Sequence, residues 1–282
     1  MLIYFMLAYA RNVRNPNPVL QTVFHLLHKC GCKVEVGIAS EHLWNPSQLS
    51  VEADLYVLKS HTPFWMSLAE ILHYQGARIL NPYYSCVATQ NKIVKARRMS
   101  VAGVPVPEAW IPGDLALLQT VIAKHPLIIK PYMGRRNEGI IIVQNRAELE
   151  QLATPSTPIL VQEYLRGYQE EIKVTVIGEQ AFAVRLVAQE DGQIKRVPYA
   201  ITDDIRAVAL KCGRVFGVGL YGMDMLLSDQ GPVVIDLDYF PSYKGVPKAA
   251  PLIAEYILSY ARGTISELLP CDTHRPPVSL EV

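Results

Sequence analysis

Three aspartates in the C-terminal third, Asp224, Asp236 and Asp238, have the spacing that most invites chemistry. Residues two apart on a strand share a face, so Asp236 and Asp238 point the same way. Ser228-Asp229-Gln230-Gly231 is turn chemistry, and a three-residue loop there sets Asp224 directly opposite Asp236. Met223, Met225 and Leu237 leave the other face apolar. Three carboxylates crowded at one end of a hairpin repel one another unless a cation sits between them. A hard divalent ion fits, with phosphates completing its oxygen shell.

Upstream residues suit the same ligand. Lys92 and Lys130 lie in separate elements and can reach a triphosphate from two sides as compact, flexible charges. The loop Gly134-Arg135-Arg136-Asn137-Glu138-Gly139 can lay backbone N–H groups and two guanidinium groups over phosphate oxygens. Gln162, Glu163, Tyr164 and Leu165 form an apolar strand whose edge could bond an adenine, and Glu170 or Glu171 could hold ribose hydroxyls. The chain has no GxxxxGK[ST] loop and no protein-kinase signatures.

The elements that must position these groups alternate in type. Strands are expected over 2–10, 33–38, 53–58 and 77–80, with helices from Val19 to Cys30 and from Phe64 to Tyr74. Alternation of this kind argues for a small parallel α/β layer, whose ligands bind at the carboxyl ends of the strands. Arg11 and Arg14 follow the first strand, and Lys59 and His61 follow the third, so these residues are candidates to face a cleft. One helix is expected from Val87 to Ala102. Strands then follow at 127–131, 140–143 and 159–165, and a hairpin over 171–188 turns at Gly178-Glu179. A helix over 203–216, the aspartate hairpin and a last helical stripe from Ala249 to Tyr260 complete the pattern.

The 282 residues leave room for two domains or one large one, and the net charge of +1 argues against a dedicated nucleic-acid surface. The apolar opening LIYFMLAYA is too short to span a bilayer and lacks a basic region before it, so it reads as a core strand. Five cysteines without metal-ligand spacing argue for reduced thiols and a cytoplasmic protein.

Taken in order, Asn91-Lys92, Ile129-Lys130-Pro131, Gln162 to Leu165, Glu171-Ile172-Lys173, Gly222-Met223-Asp224 and Asp236-Leu237-Asp238 resemble the ATP-grasp superfamily. The likeness is greatest to its RimK-like ligases. It implies an ATP-grasp fold, mixing α/β and α+β, behind an N-terminal parallel α/β domain. The implied divisions are 1–85, a central subdomain over 86–165, a C-terminal subdomain over 166–265 and a peripheral tail. The resemblance puts Lys92 and Lys130 on phosphates, Glu163 to Leu165 on adenine and Glu171 on ribose. It puts two Mg²⁺ ions, or Mn²⁺ in their place, on Asp224, Asp236 and Asp238. This chain has Asp-Leu-Asp where the ligases usually have Glu-x-Asn.

The function implied is an ATP- and Mg²⁺-dependent carboxylate–amine ligase working through an acylphosphate. Arg185, Lys173 and Arg196 would hold an anionic small-molecule substrate, with Arg11, Arg14 and Lys59 also near it. The partner would be an amine, a peptide amine included; a homo-oligomer is compatible with this reading, and neither nucleic acid nor membrane is expected. The run Asp238-Tyr239-Phe240-Pro241 is also similar to the inositol trisphosphate kinase branch, which makes a kinase for a polyanionic hydroxyl substrate the alternative. The loop at Arg135-Arg136-Asn137-Glu138 lacks the Ser-His-Glu run of that branch.

Overall fold

A computed structural model describes residues 1–7, 17–134, 139–166, 170–188, 194–265 and 270. Arg11, Arg14, Arg135 and Arg136 lie outside the described residues.

The chain opens with β1 (Leu2–Leu7), α1 (Pro18–Lys29), β2 (Lys33–Ile38), β3 (Leu55–Leu58), α2 (Pro63–Tyr74) and β4 (Ile79–Leu80). The strands pair in parallel in the order β2-β1-β3-β4, as the alternation of strand and helix predicts. Ile3 and Phe5 are wholly buried, in a core that also holds Val23 and Leu27 of α1.

The single helix expected over 87–102 is two, α3 (Tyr83–Gln90) and α4 (Lys92–Val101). Asn91 separates them in an extended conformation, and its side chain accepts from the Ile93 and Val94 N–H groups. Asparagine competes for backbone donors in this way, which makes it a helix starter rather than an interior residue. Lys92 therefore stands at the first position of a new helix, and its N–H donates to the Tyr132 carbonyl at 2.9 Å.

A second, antiparallel sheet has the order β5-β8-β6-β7, from β5 (Ala109–Trp110), β6 (Leu127–Pro131), β7 (Ile141–Val143) and β8 (Ile159–Glu163). Short helices α5 (Gln119–Ile122) and α6 (Arg146–Glu150) close its apolar side.

The third sheet carries the aspartates. It is five-stranded and antiparallel in the order β11-β10-β9-β12-β13, from β9 (Glu170–Ile177), β10 (Gln180–Ala188), β11 (Ile194–Tyr199), β12 (Leu220–Ser228) and β13 (Gly231–Tyr239). Helix α7 (Asp203–Phe216) covers one face, with Ile205, Ala209 and Phe216 against Ile172, Val174 and Met225. The last helix, α8 (Ala249–Ala261), returns to the first sheet, where Ile253 and Ile257 join its core. Among the described residues no helix is long and apolar enough to cross a membrane.

Candidate active site

The hairpin turn at Asp229-Gln230 has two residues, not the three expected, and it pairs Ser228 with Gly231 and Met225 with Val234. Continued unchanged, that register would set Asp224 against Ile235 and turn Asp236 to the other face, because strand side chains alternate. A β-bulge intervenes between Asp224 and Met225, and Asp224 pairs with Asp236. The extra residue, Ile235, drops out of the ladder. Its carbonyl accepts from Lys130 Nζ at 3.2 Å.

The same face continues across the sheet. Lys173 pairs with Asp224, Thr175 with Gly222, and Gly222 with Asp238. Lys173 Nζ meets Asp224 Oδ1 at 2.5 Å. The opposite face is the apolar one packed under α7. The polar face borders a cavity of about 190 Å³ lined by Lys173, Thr175, Arg196, the three aspartates and Lys244 among others.

Lys95, read from sequence only as a helix charge, belongs to this site. It is 5% exposed, pairs with Asp236 Oδ1 and donates to the Leu237 carbonyl at 2.7 Å. Its signal in the sequence was the three-residue step from Lys92, which puts both lysines on adjacent turns of one helix. Burial pushes the Asp236 carboxyl up, but Lys95, Lys130 and the Leu237 N–H outweigh it and hold the group below the usual carboxylate value. Asp224 goes the other way: burial raises it more than Lys173 lowers it. Lys92 and Lys130 are both lowered, first by burial and also by Lys95, against the attraction of Asp236. Three ammonium groups thus crowd around one carboxylate, an arrangement that favours further negative charge from a ligand.

Other expected residues are placed differently. Arg185 pairs with Ile172 and so shares the face opposite Lys173, where it bonds Glu170 at 2.8 Å. Arg196 pairs with Leu186 and stays on the cavity face. Lys59 does not stand open to a ligand: its ammonium donates to the Phe240 and Pro241 carbonyls at 2.9 and 3.1 Å, 4.5 Å over the Phe240 ring. β8 is an inner strand, and the Glu163 and Tyr164 N–H groups are bound to the Glu108 and Pro126 carbonyls. Within the stretch expected to bond adenine, Gln162 to Leu165, these two N–H groups are therefore already taken. Gln162 itself is buried, and Glu171 is exposed. Lys92 Nζ rests on the Gly134 carbonyl at 2.9 Å, at the start of the glycine-bracketed loop.

The residues present fit divalent ions. Among the described residues no three His, Cys, Asp or Glu side chains form a ready-made metal cage. The donors are hard carboxylate oxygens on one face, and burial holds the Asp224 carboxyl above its usual value despite Lys173 beside it. Such a set suits Mg²⁺, which uses few protein carboxylates and takes further oxygens from phosphates and water.

Comparison with known proteins agrees with this geometry. An alignment of 190 positions, covering 62% of the chain, is 24% identical to a probable alpha-L-glutamate ligase 2 of Shewanella frigidimarina, of which it spans 64%. The fold matches a RimK domain ATP-grasp protein of Sphaerobacter thermophilus with a TM-score of 0.74 at 15% identity, over 91% of this chain and 99% of that one. It matches the ATP-grasp ligase PsnB, solved with a minimal precursor, Mg and ADP, with a TM-score of 0.69 at 17% identity, over 92% and 97%. The profile of the RimK-like ATP-grasp domain matches residues 89–258, which contain Lys92, Lys95, Lys130 and all three aspartates. With more than half of its length under that profile, the chain belongs to the RimK-like ATP-grasp family.

Proposed function

We infer that the protein is an ATP- and Mg²⁺-dependent carboxylate–amine ligase. The observation that carries this reading is the single polar face of the third sheet, where Asp224, Asp236 and Asp238 stand beside Lys173 and Arg196 along one cavity. Lys92, Lys95 and Lys130 gather at Asp236 from the two preceding segments. The glutamate ligase and PsnB relatives support the same reaction class.

Lys92 and Lys130 would bind the β- and γ-phosphates, and Arg135 and Arg136 would close over them. Glu163 to Leu165 and Glu171 would hold the nucleoside. Asp224, Asp236 and Asp238 would hold two Mg²⁺ ions, or Mn²⁺, which neutralise phosphate charge when bound. Arg196 and Lys173 would orient an anionic substrate so that its carboxylate oxygen bonds to the γ-phosphorus. The bond from that phosphorus to the β-phosphate oxygen breaks and ADP leaves. An amine then bonds to the acyl carbon and inorganic phosphate leaves, the amine proton passing to solvent. No protein nucleophile is required; positioning and charge neutralisation supply the rate. The amine of a peptide would serve as well as that of a small molecule, and the reduced thiols suit a cytosolic setting.

The kinase alternative is weaker. The loop at Arg135-Arg136-Asn137-Glu138 lacks the Ser-His-Glu run of the inositol trisphosphate kinase branch, and the Shewanella frigidimarina relative is a ligase. ADP and phosphate release measured in parallel tests the choice. A ligase releases both, and only with acid and amine together; ADP released without phosphate would overturn it.

A further inference from the structure

The β2–β3 crossover carries no α-helix, and beside α2 it covers one face of the first sheet only with a loop. Parallel crossovers usually carry an α-helix across the sheet. Residues 39–54 form only two single turns of tight helix, Ala39–Glu41 and Pro46–Gln48. Alternate residues of β1, among them Tyr4, face this thin cover, and a cavity of about 250 Å³ remains beneath it.

Part of its wall is aromatic. Tyr4, Trp44, Tyr56 and Trp65 line it, with ring centroids 5.6 Å apart for Tyr4 and Tyr56 and 6.1 Å for Trp44 and Trp65. Gly37 is required for this: a Cβ there would stand 2.2 Å from the Tyr4 hydroxyl and 2.5 Å from the Trp65 ring. Glu35 and Glu52 are the ionisable acids at the lining, and no lysine, arginine or histidine joins them. Glu35 pairs with Lys33 at 2.6 Å, but Lys33 is 72% exposed, so the pair is of the weak solvated kind. Burial, then Glu35, Tyr56 and Glu52, push the Tyr4 hydroxyl up to about 12. The Trp44 indole N–H is buried with no hydrogen-bond partner among the described residues.

Ring faces and carboxylates both attract positive charge, and together they select a weakly hydrated cation over a neutral molecule. We propose that this cavity binds a small organic cation, an alkylated ammonium. The cavity holds none of the residues placed in the ATP and metal site, so its failure and that of the ligase reading are separable.

Choline and its neutral isostere 3,3-dimethylbutan-1-ol are the probes, titrated into the full chain by calorimetry and by tryptophan fluorescence. Choline saturates, and the isostere binds at least about tenfold more weakly. Trp44→Leu weakens choline by about tenfold, and Glu52→Gln by about threefold. Equal binding of the two probes to the unaltered protein, or no saturable choline signal, would overturn the proposal without any variant needing to fold. An unchanged choline affinity in a folded Trp44→Leu protein would overturn it as well.

Discussion

Asp224 and Asp236 face each other directly across the β12–β13 ladder, and Ile235 is the residue left out of the ladder to bring them there. The bulge joins two parts of the site. It aligns the carboxylates on one face, and it frees a carbonyl for Lys130 of the second sheet. Lys95 completes the join from α4, through Asp236 and the Leu237 carbonyl.

That join predicts energetic coupling between Lys95 and Asp236. Removing either partner leaves the other partly desolvated and unpaired, whereas removing both relieves it. A double-mutant cycle with Lys95→Met and Asp236→Asn, read by urea unfolding, should give a coupling of about 1–3 kcal/mol. Additive effects would place the two side chains in separate environments.

The two arginines of the third sheet should behave differently. Arg196 lines the cavity, while Arg185 bonds Glu170 on the other face. Arg196→Ala should raise the KM for the acid substrate by about tenfold, the scale of one charge-assisted contact. Arg185→Ala should leave the KM within about twofold, since an exposed pair contributes little. The reverse order in steady-state kinetics would contradict the face assignment.

Lys59 should matter to stability. Phe240 and Tyr243 hold φ of 41° and 53°, in the left-handed region that non-glycine residues rarely occupy. Such turns persist where surrounding contacts over-determine them. Lys59 supplies two of those contacts, and the His61 ring stacks on Tyr239 at 3.9 Å beside them. Lys59→Met should lower unfolding stability by about 2 kcal/mol. Unchanged denaturation would mean that the turn does not depend on it.

Alkaline pH should weaken the core under α7. Burial pushes the Cys212 thiol from its ordinary 9.0 up to about 12. The folded state holds that proton more tightly than the unfolded state, so the contribution is complete below pH 9 and is lost as pH rises toward 12. The fall in thermal midpoint above pH 9 should be shallower in Cys212→Ala, which lacks the ionisable group.

Much of the site was legible because strand periodicity puts alternate residues on one face. Asp224, Asp236 and Asp238 are identified this way, and Lys173 and Arg196 join them. The pairing of Asp224 with Asp236 was foreseen through a three-residue loop, but a two-residue turn and a bulge produce it. Bulges carry no clear local signature, so only the sum of turn and ladder could be read. Arg185 was misplaced by one step of strand parity, because the pairing of β9 with β10 sets it opposite Ile172. Lys95 was passed over because a lysine on an amphipathic helix usually faces water, and only tertiary packing shows this one buried. The three helices α1, α2 and α7 were clear from 3.6-residue periodicity, whereas the break at Asn91 needed its cap to be weighed against helix propensity.

Trapping with hydroxylamine tests the ligase reading most directly. An acylphosphate gives a hydroxamate with this amine, and a phosphate ester does not. Incubated with ATP, Mg²⁺, hydroxylamine and a panel of amino acids and other small carboxylates, the protein should form hydroxamate in step with ADP, and Asp236→Asn should form neither. ADP accumulating with a phosphorylated alcohol and no hydroxamate would contradict the account.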